Sequence, residues 1–190
     1  MSVLVFQVVT LGWLVTEIVR GVRLRAARRH GDRTAGAAGG AWIVFAAVGL
    51  SAAAAVASQR TAVPRLPMPV EARCWVGTVV VVLGVVIRWR AIRTLGRLFT
   101  MNVAIREGHE IIQRGLYRWV RHPSYSGLLL SCAGLGIGLG NWASVVICIA
   151  GPAAAVLYRI RVEERALRES FPDSYDEYAR RTRRLIPGVY

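Results

Sequence analysis

The sequence predicts an all-α fold, a polytopic integral membrane bundle of about five transmembrane helices, and three observations lead there. Hydrophobic residues make up 54% of the 190 positions, with a mean hydropathy of +0.41. They fall in five apolar blocks that lack the polar and apolar faces of soluble core helices. The 25 cationic residues, all of them arginine, crowd into alternate connections between those blocks. A formal net charge of +14 would suit a nucleic-acid binder, but apolar content arranged in blocks argues against that class. One domain, residues 1–190, is expected at this length.

Crossing a bilayer as a helix takes roughly 20 apolar residues, with about 17 as the lower limit. The first block (3–19), the second (41–58) and the fifth (142–158) meet that length. The third (74–87) reaches it only with the turn 88–92, and the fourth (126–140) needs 123–125 as its first turn. A Gly/Ala-rich joint, 35–40, precedes the second block, and Pro64, Pro67 and Pro69 punctuate the connection after it. The tail beyond the fifth block reads as an amphipathic helix, Leu167, Phe171 and Tyr175 recurring every four residues. Pro172 fits only where that helix breaks or restarts.

Arginine placement orients the bundle, because cytoplasmic connections of membrane proteins concentrate arginine and lysine. Six arginines follow the first block, three lie in the second connection, eight in 88–121, none at the Asn141 turn and eight in the tail. Five spans with the N-terminus outside place 22 of the 25 on one side. The expected location is a plasma or inner membrane, with two polar stretches, 88–121 and 159–190, in the cytosol. The chain divides into three N-terminal spans (1–92) and a C-terminal half (93–190) that carries the hairpin 124–158 and the tail.

Cys74, Cys132 and Cys148 sit singly in apolar runs, and His30, His109 and His122 form no metal motif, so no metal is expected. The three cysteines read as small packing hydrophobes. The glycines from Gly134 to Gly140 lack the strand and acidic residue of a dinucleotide loop. They read as small-xxx-small packing, Gly134 with Gly138 and Gly136 with Gly140. Glu17, inside the first span, is expected to pair with Arg20 on the same helix face.

Candidate chemistry gathers at one end of the bundle. Tyr117, Arg118, Trp119, Arg121, His122 and Tyr125 crowd cations and aromatics against the start of the fourth span, where arginine, tryptophan and tyrosine also serve as interfacial anchors. Arg159 and Glu163, four apart at the exit of the fifth span, share a helix face and return to the same end. Pro123 suits the first turn of a helix, with His122 at its cap and free N–H groups behind it that attract a carboxylate.

The ordered combination of His109, Gly115-Leu116-Tyr117, Arg121-His122-Pro123-Ser124-Tyr125-Ser126-Gly127, an apolar hairpin, Arg159 with Glu163, Glu164 and Leu167, then Phe171 with Tyr175 and Tyr178, resembles the isoprenylcysteine carboxyl methyltransferase family of membrane enzymes. The resemblance covers about residues 95–180. It implies S-adenosylmethionine as methyl donor, held without a Rossmann fold in a cytosolic pocket formed by the 93–125 connection and the C-terminal helix. By position it implies that His109, Tyr117, His122, Pro123, Ser124, Tyr125 and Glu163 line that pocket. Asn102 joins them, and Ile111 and Ile112 contribute backbone contacts. Arg159 matches the arginine assigned to the substrate carboxylate. The chain departs from the pattern in lacking a hydroxyl in 109–112 and in placing Pro172, not glycine, after Phe171.

The expected function is methyl transfer to a lipophilic or lipidated acceptor, first of all O-methylation of a carboxylate or lipid phenol, with Arg159 and Glu163 carrying the chemistry. A carboxylate is already ionised and needs orientation, whereas a phenol or amine would need a base, with Glu163 or His122 as candidates. A membrane NADPH-dependent reductase related to sterol reductases, and a non-catalytic lipid-binding protein whose arginines contact anionic headgroups, are the alternatives.

Overall fold

The structure is a computed structural model and describes residues 1–29, 41–96 and 111–189. The 35–40 joint, Asn102 and His109 lie outside the described residues. Among the described residues the helices are α1 (Ser2–Arg29), α2 (Ala41–Ala57), α3 (Val70–Leu95), α4 (Pro123–Leu139), α5 (Trp142–Ser170) and α6 (Pro172–Arg181). Four of them (α1, α2, α3 and α5) carry apolar stretches long enough to cross a membrane, and α4 is a shorter apolar helix. Val8, Leu11, Leu50, Val56, Leu83 and Val146 stand exposed around the bundle, an apolar girdle that suits a bilayer rather than water. The chain is a multi-pass integral membrane protein.

Pairwise contacts fix an up-and-down order. Phe6 at the start of α1 meets Gly138 at the end of α4, while Glu17 near the other end of α1 reaches Arg88 of α3. Gly21 faces Phe45 at the start of α2, and Ser58 just past α2 lies within 3.4 Å of Asn141 before α5. Arg88 of α3 meets Ser124 at the start of α4. The ends of α1, α3 and α5 and the start of α4 therefore share one end of the bundle. That is the segregation the arginines predict.

The closest packing is between α3 and α4, and it rests on absent side chains. A Cβ added to Gly77 would lie 2.8 Å from the Gly134 carbonyl oxygen and 2.9 Å from Gly138 Cα. One added to Gly127 would lie 2.7 Å from the Arg88 amide nitrogen. Lipid gives helices no hydrophobic reason to associate, so close van der Waals approach of small residues does that work. The expected glycine pairing is half corrected. Gly134 and Gly138 do share the α3 face, but Gly136 faces Ser144 and Val145 of α5. Gly140, at φ +85°, is the left-handed residue that ends α4, and it lies under the Arg73 side chain of α3.

Asn141 then starts α5. Its side chain accepts from the Ser144 amide at 2.6 Å, and the Ser144 hydroxyl accepts from the Asn141 amide at 3.4 Å, a reciprocal capping box. Cys74, Cys132 and Cys148 are buried, unpaired, among the core side chains, as packing hydrophobes should be.

The C-terminal part follows the sequence reading and extends it. α5 continues past the apolar block to Ser170, which puts Arg159, Glu163 and Glu164 on one helix. The tail breaks where Pro172 requires: Phe171 is the corner and α6 restarts at Pro172, which needs no N–H at a helix's first position. One expectation needs correction: Arg88, read as the start of a polar stretch, lies inside α3, which continues to Leu95 and turns it inward, 4% exposed.

Candidate active site at the arginine-rich end

Adjacent carboxylates on a helix point about 100° apart, since an α-helix turns once in 3.6 residues. Glu163 and Glu164 therefore serve two different clusters. Glu163 Oε1 accepts from the Tyr125 hydroxyl at 2.7 Å and from Arg159 Nε at 2.8 Å. This joins the start of α4 to α5 across the mouth of the hairpin. Arg159 is 1% exposed, so its charge is balanced inside the protein and not by water.

Glu164, also 1% exposed, takes Arg121 Nε at 3.0 Å and the Arg184 guanidinium at 2.9 Å. Arg121 in turn donates to the Ala179 carbonyl at 2.9 Å and to the Thr182 carbonyl. The Arg121 and His122 amides donate to the Arg183 and Arg184 carbonyls at 2.7 and 3.0 Å, and the Ser126 hydroxyl donates to the Leu185 carbonyl at 2.6 Å. The tail is thus strapped over the first turn of α4.

His122 stands between the two carboxylates, Nδ1 3.5 Å from Glu163 Oε2 and Nε2 3.5 Å from Glu164 Oε1. Its ring stacks on Tyr125 with centroids 5.9 Å apart. At those distances the contacts are charge pairs rather than tight hydrogen bonds, and Nε2 is buried without one. Burial opposes charging of the imidazole, but Glu163 and Glu164 outweigh it and hold the His122 pKa above its ordinary value.

Tyr117 lies in the short 3₁₀ turn Gly115–Arg118, buried, and its carbonyl accepts from the Tyr178 hydroxyl at 2.7 Å. Burial, then the neighbouring Tyr178 and Glu163, push the Tyr117 phenol above the usual range; burial does the same for Tyr178. Both stay neutral at physiological pH.

Of the predicted site residues, the structure brings together Tyr125, His122, Arg159 and Glu163, with Tyr117 close enough to feel the Glu163 charge. Pro123 opens α4 and His122 is its cap residue, as expected. In the first turn of α4 the Tyr125 amide donates to the His122 carbonyl at 3.0 Å, and the Ser126 amide makes the first regular helical bond to the same carbonyl at 3.1 Å. Carboxylates gather at that helix end, but they are the protein's own. Ile111 and Ile112 are partly buried in irregular chain before the turn. Ser124 belongs to a third cluster, where its hydroxyl and carbonyl accept from Arg88 at 3.0 Å each.

That third cluster was largely missed. Glu17 does bind Arg20, at 3.0 Å, but its principal partner is Arg88, which grips both carboxylate oxygens at 3.0 Å from 71 positions away. The one available sign was an intramembrane carboxylate and an intramembrane arginine, each costly alone. The roles of Glu164, Arg184 and Tyr178 were likewise not assigned.

A multi-pass bundle with an ionic, aromatic cluster buried at one membrane-facing end defines a membrane protein with an interfacial active-site candidate. The chain belongs to the isoprenylcysteine carboxyl methyltransferase (ICMT) family, which it matches over residues 75–169. It is 38% identical over 117 residues to a probable protein-S-isoprenylcysteine O-methyltransferase of Oryza sativa subsp. indica, covering 60% of this chain and 61% of that protein. Protein-S-isoprenylcysteine O-methyltransferase B of Arabidopsis thaliana is 36% identical over 115 residues, 60% of this chain and 58% of the relative. The uncharacterized protein YpbQ of Bacillus subtilis (strain 168) is 35% identical over 98 residues, 50% and 57%. The match thus spans about three-fifths of the length of these curated relatives.

Proposed function

We propose that the chain is an S-adenosylmethionine-dependent methyltransferase that O-methylates the carboxylate of a lipophilic acceptor, an isoprenylated cysteine being the first candidate. The observation that carries it is the Tyr125–Glu163–Arg159 cluster, a carboxylate, a phenol and a guanidinium held together at the membrane end of the hairpin.

The residues present fit such a cofactor. The Glu163 carboxylate suits an amino group. The faces of Tyr117 and Tyr125 suit a sulfonium by cation–π attraction, and His122 Nε2, on the ring stacked against Tyr125, is a buried polar atom without a hydrogen bond. Pro123 and the backbone of Ile111 and Ile112 join the proposed pocket, to which the family resemblance adds Asn102, His109 and Ser124. S-adenosylmethionine supplies an electrophilic methyl group on sulfur. In-line displacement asks the protein mainly for position and exclusion of water. Glu163 fixes the tilt of Tyr125 and of Arg159 at once, and Arg159 orients the acceptor carboxylate, which needs no base because it is ionised. The tail strapped over α4 shields this end from water. The acceptor reaches Arg159 sideways from the lipid, past α5 residues such as the exposed Tyr158.

In the proposed topology the N-terminus is outside and the site faces the cytosol, in a plasma or inner membrane. Thiol-reactive labelling of single cysteines placed at residues 62 and 187, in intact cells, tests it; labelling of residue 187 from outside would reverse it. The reaction is tested by methyl-labelled S-adenosylmethionine with an S-farnesylcysteine derivative and with a host lipid extract. Label should enter a base-labile ester. Arg159→Ala should cut turnover by about 10²-fold while cofactor affinity stays near wild type. Binding of NADPH in place of S-adenosylmethionine would overturn the reading.

A further inference from the structure

A second site lies on the other side of the 3₁₀ turn that carries Tyr117. A groove of about 450 Å³ is lined by Trp89, Arg90, Arg93, Thr94, Gly115, Leu116, Arg118 and Trp119. It is built from the last turns of α3 and the backbone of the turn. Gly115, at φ +62°, allows that approach, since a Cβ there would stand 3.2 Å from Thr94 Oγ1. None of these residues takes part in the Glu163, Glu164 or Glu17 clusters.

Three guanidinium groups ring the groove, and among the described residues no carboxylate pairs with Arg90, Arg93 or Arg118. This contrasts with Arg88, Arg121, Arg159 and Arg184 nearby, each bound to a glutamate. Two of the three sit over indoles: Arg93 Cζ is 3.8 Å from the Trp89 ring centre and Arg118 Cζ 4.8 Å from that of Trp119. A guanidinium held over an aromatic face by cation–π attraction still has N–H groups to donate to an oxyanion, and arginine is the side chain best matched to phosphate.

The groove also has a lipid-facing approach. Trp75, Val79, Val82, Val86 and Trp89 are all exposed and recur at spacings of three and four along α3, one stripe that ends at Arg93. Val76 and Leu83, seven apart, form a neighbouring stripe that ends at Arg90. From Val79 to Trp89 the stripe is about 15 Å long at 1.5 Å per residue, the depth of one leaflet's hydrocarbon, about 15 Å. Apolar stripes a leaflet deep, capped by guanidinium groups that have no carboxylate partner among the described residues, match an amphiphile with an anionic head and acyl tails.

We propose that this groove is a binding site for an anionic glycerophospholipid of the surrounding bilayer, its phosphate held by Arg90, Arg93 and Arg118 and its acyl chains lying along α3. Because the turn that walls the groove also carries Tyr117, a bound lipid braces the active-site wall from behind. The site is independent of the methyl-transfer chemistry and can be tested without cofactor or substrate.

The test uses the full chain in phosphatidylcholine bilayers doped with bromo-acyl phosphatidylglycerol or, in parallel, bromo-acyl phosphatidylcholine, and reads tryptophan quenching. Trp89 and Trp119 stand in the groove and report directly. Phosphatidylglycerol should quench saturably at lower mole fraction than phosphatidylcholine, and this preference should fall about fivefold for each arginine removed among Arg90→Gln, Arg93→Gln and Arg118→Gln. Trp89→Phe with Trp119→Phe should abolish the saturable component. Arg60→Gln with Arg65→Gln, at the opposite end, should leave it intact. All three groove arginines are exposed, so each single variant should fold. Equal quenching by the two lipids, or a preference that survives the triple variant, overturns the proposal. Displacement by millimolar inorganic phosphate would also overturn it, in favour of a soluble anion.

Discussion

Removing the Arg88 guanidinium should be the most destabilising single change in the bundle outside its glycine contacts. Arg88 donates to both oxygens of Glu17 at 3.0 Å, and to the Ser124 carbonyl and hydroxyl at 3.0 Å each. Both members of the ion pair are nearly sealed, Glu17 at 3% and Arg88 at 4% exposure. Arg88→Met keeps the volume but leaves Glu17 with Arg20 alone and takes a donor from the Ser124 hydroxyl and carbonyl. Breaking a buried pair on one side costs about 3–5 kcal/mol, because the surviving charge stays desolvated. Removing both charges, Glu17→Gln with Arg88→Met, should recover much of that loss, since the residual cost is only that of unmet hydrogen bonds, about 1–3 kcal/mol. The assay is unfolding in mixed micelles with increasing dodecyl sulfate, followed by circular dichroism for wild type, both single variants and the double. A positive coupling of at least about 2 kcal/mol is expected, within the range seen for groups in contact. Single losses below about 1 kcal/mol with additive behaviour would refute a buried, mutually dependent pair.

Further outcomes follow from the same geometry. Gly77→Ala should destabilise the bundle by about 1–3 kcal/mol by forcing α3 off α4, read by the same titration, whereas Gly12→Ala, with open space around it, should not. Glu163→Gln keeps an acceptor for Tyr125 but removes the charge, and should weaken S-adenosylmethionine binding about tenfold by calorimetry. The His122 pKa is raised in the folded state, so its contribution to stability is complete below about pH 6.5 and is lost as pH rises through the higher folded value. The melting-temperature gap between wild type and His122→Gln should therefore be widest near pH about 6 and close on the alkaline side; a gap that widens with pH would contradict the two-carboxylate contact. Tyr178→Phe leaves the buried Tyr117 carbonyl unpaired, and should cost about 1–3 kcal/mol while raising protease access to the tail.

Much of the bundle is legible in the sequence because bilayers impose strong rules. Apolar length sets the spans, and arginine asymmetry assigns their ends. Arg159 and Glu163 are legible because helical spacing alone puts them on one face. Distances in three dimensions are another matter. Arg88 and Glu17 are 71 residues apart, and no periodicity links them. Gly77 and Gly84 read as ordinary members of an apolar run until α4 is set against them, and Gly140 reads as one more packing glycine until its positive φ is seen. Nothing local shows that the tail folds back beside the start of α4 and takes the Arg121 and His122 amides on its carbonyls. Glu164 was read beside Glu163, whereas the helix sends the two to different partners, with His122 between them.

The central claim is that the Tyr125–Glu163–Arg159 cluster transfers a methyl group from S-adenosylmethionine to a lipophilic carboxylate. The most direct measurement is single-turnover transfer of labelled methyl to an S-farnesylcysteine derivative, by wild type and Arg159→Ala at saturating cofactor. The account predicts a base-labile labelled ester from wild type and a loss of about 10²-fold in the variant, with cofactor binding unchanged. Equal transfer by both proteins, or loss of cofactor binding with loss of transfer, would contradict it.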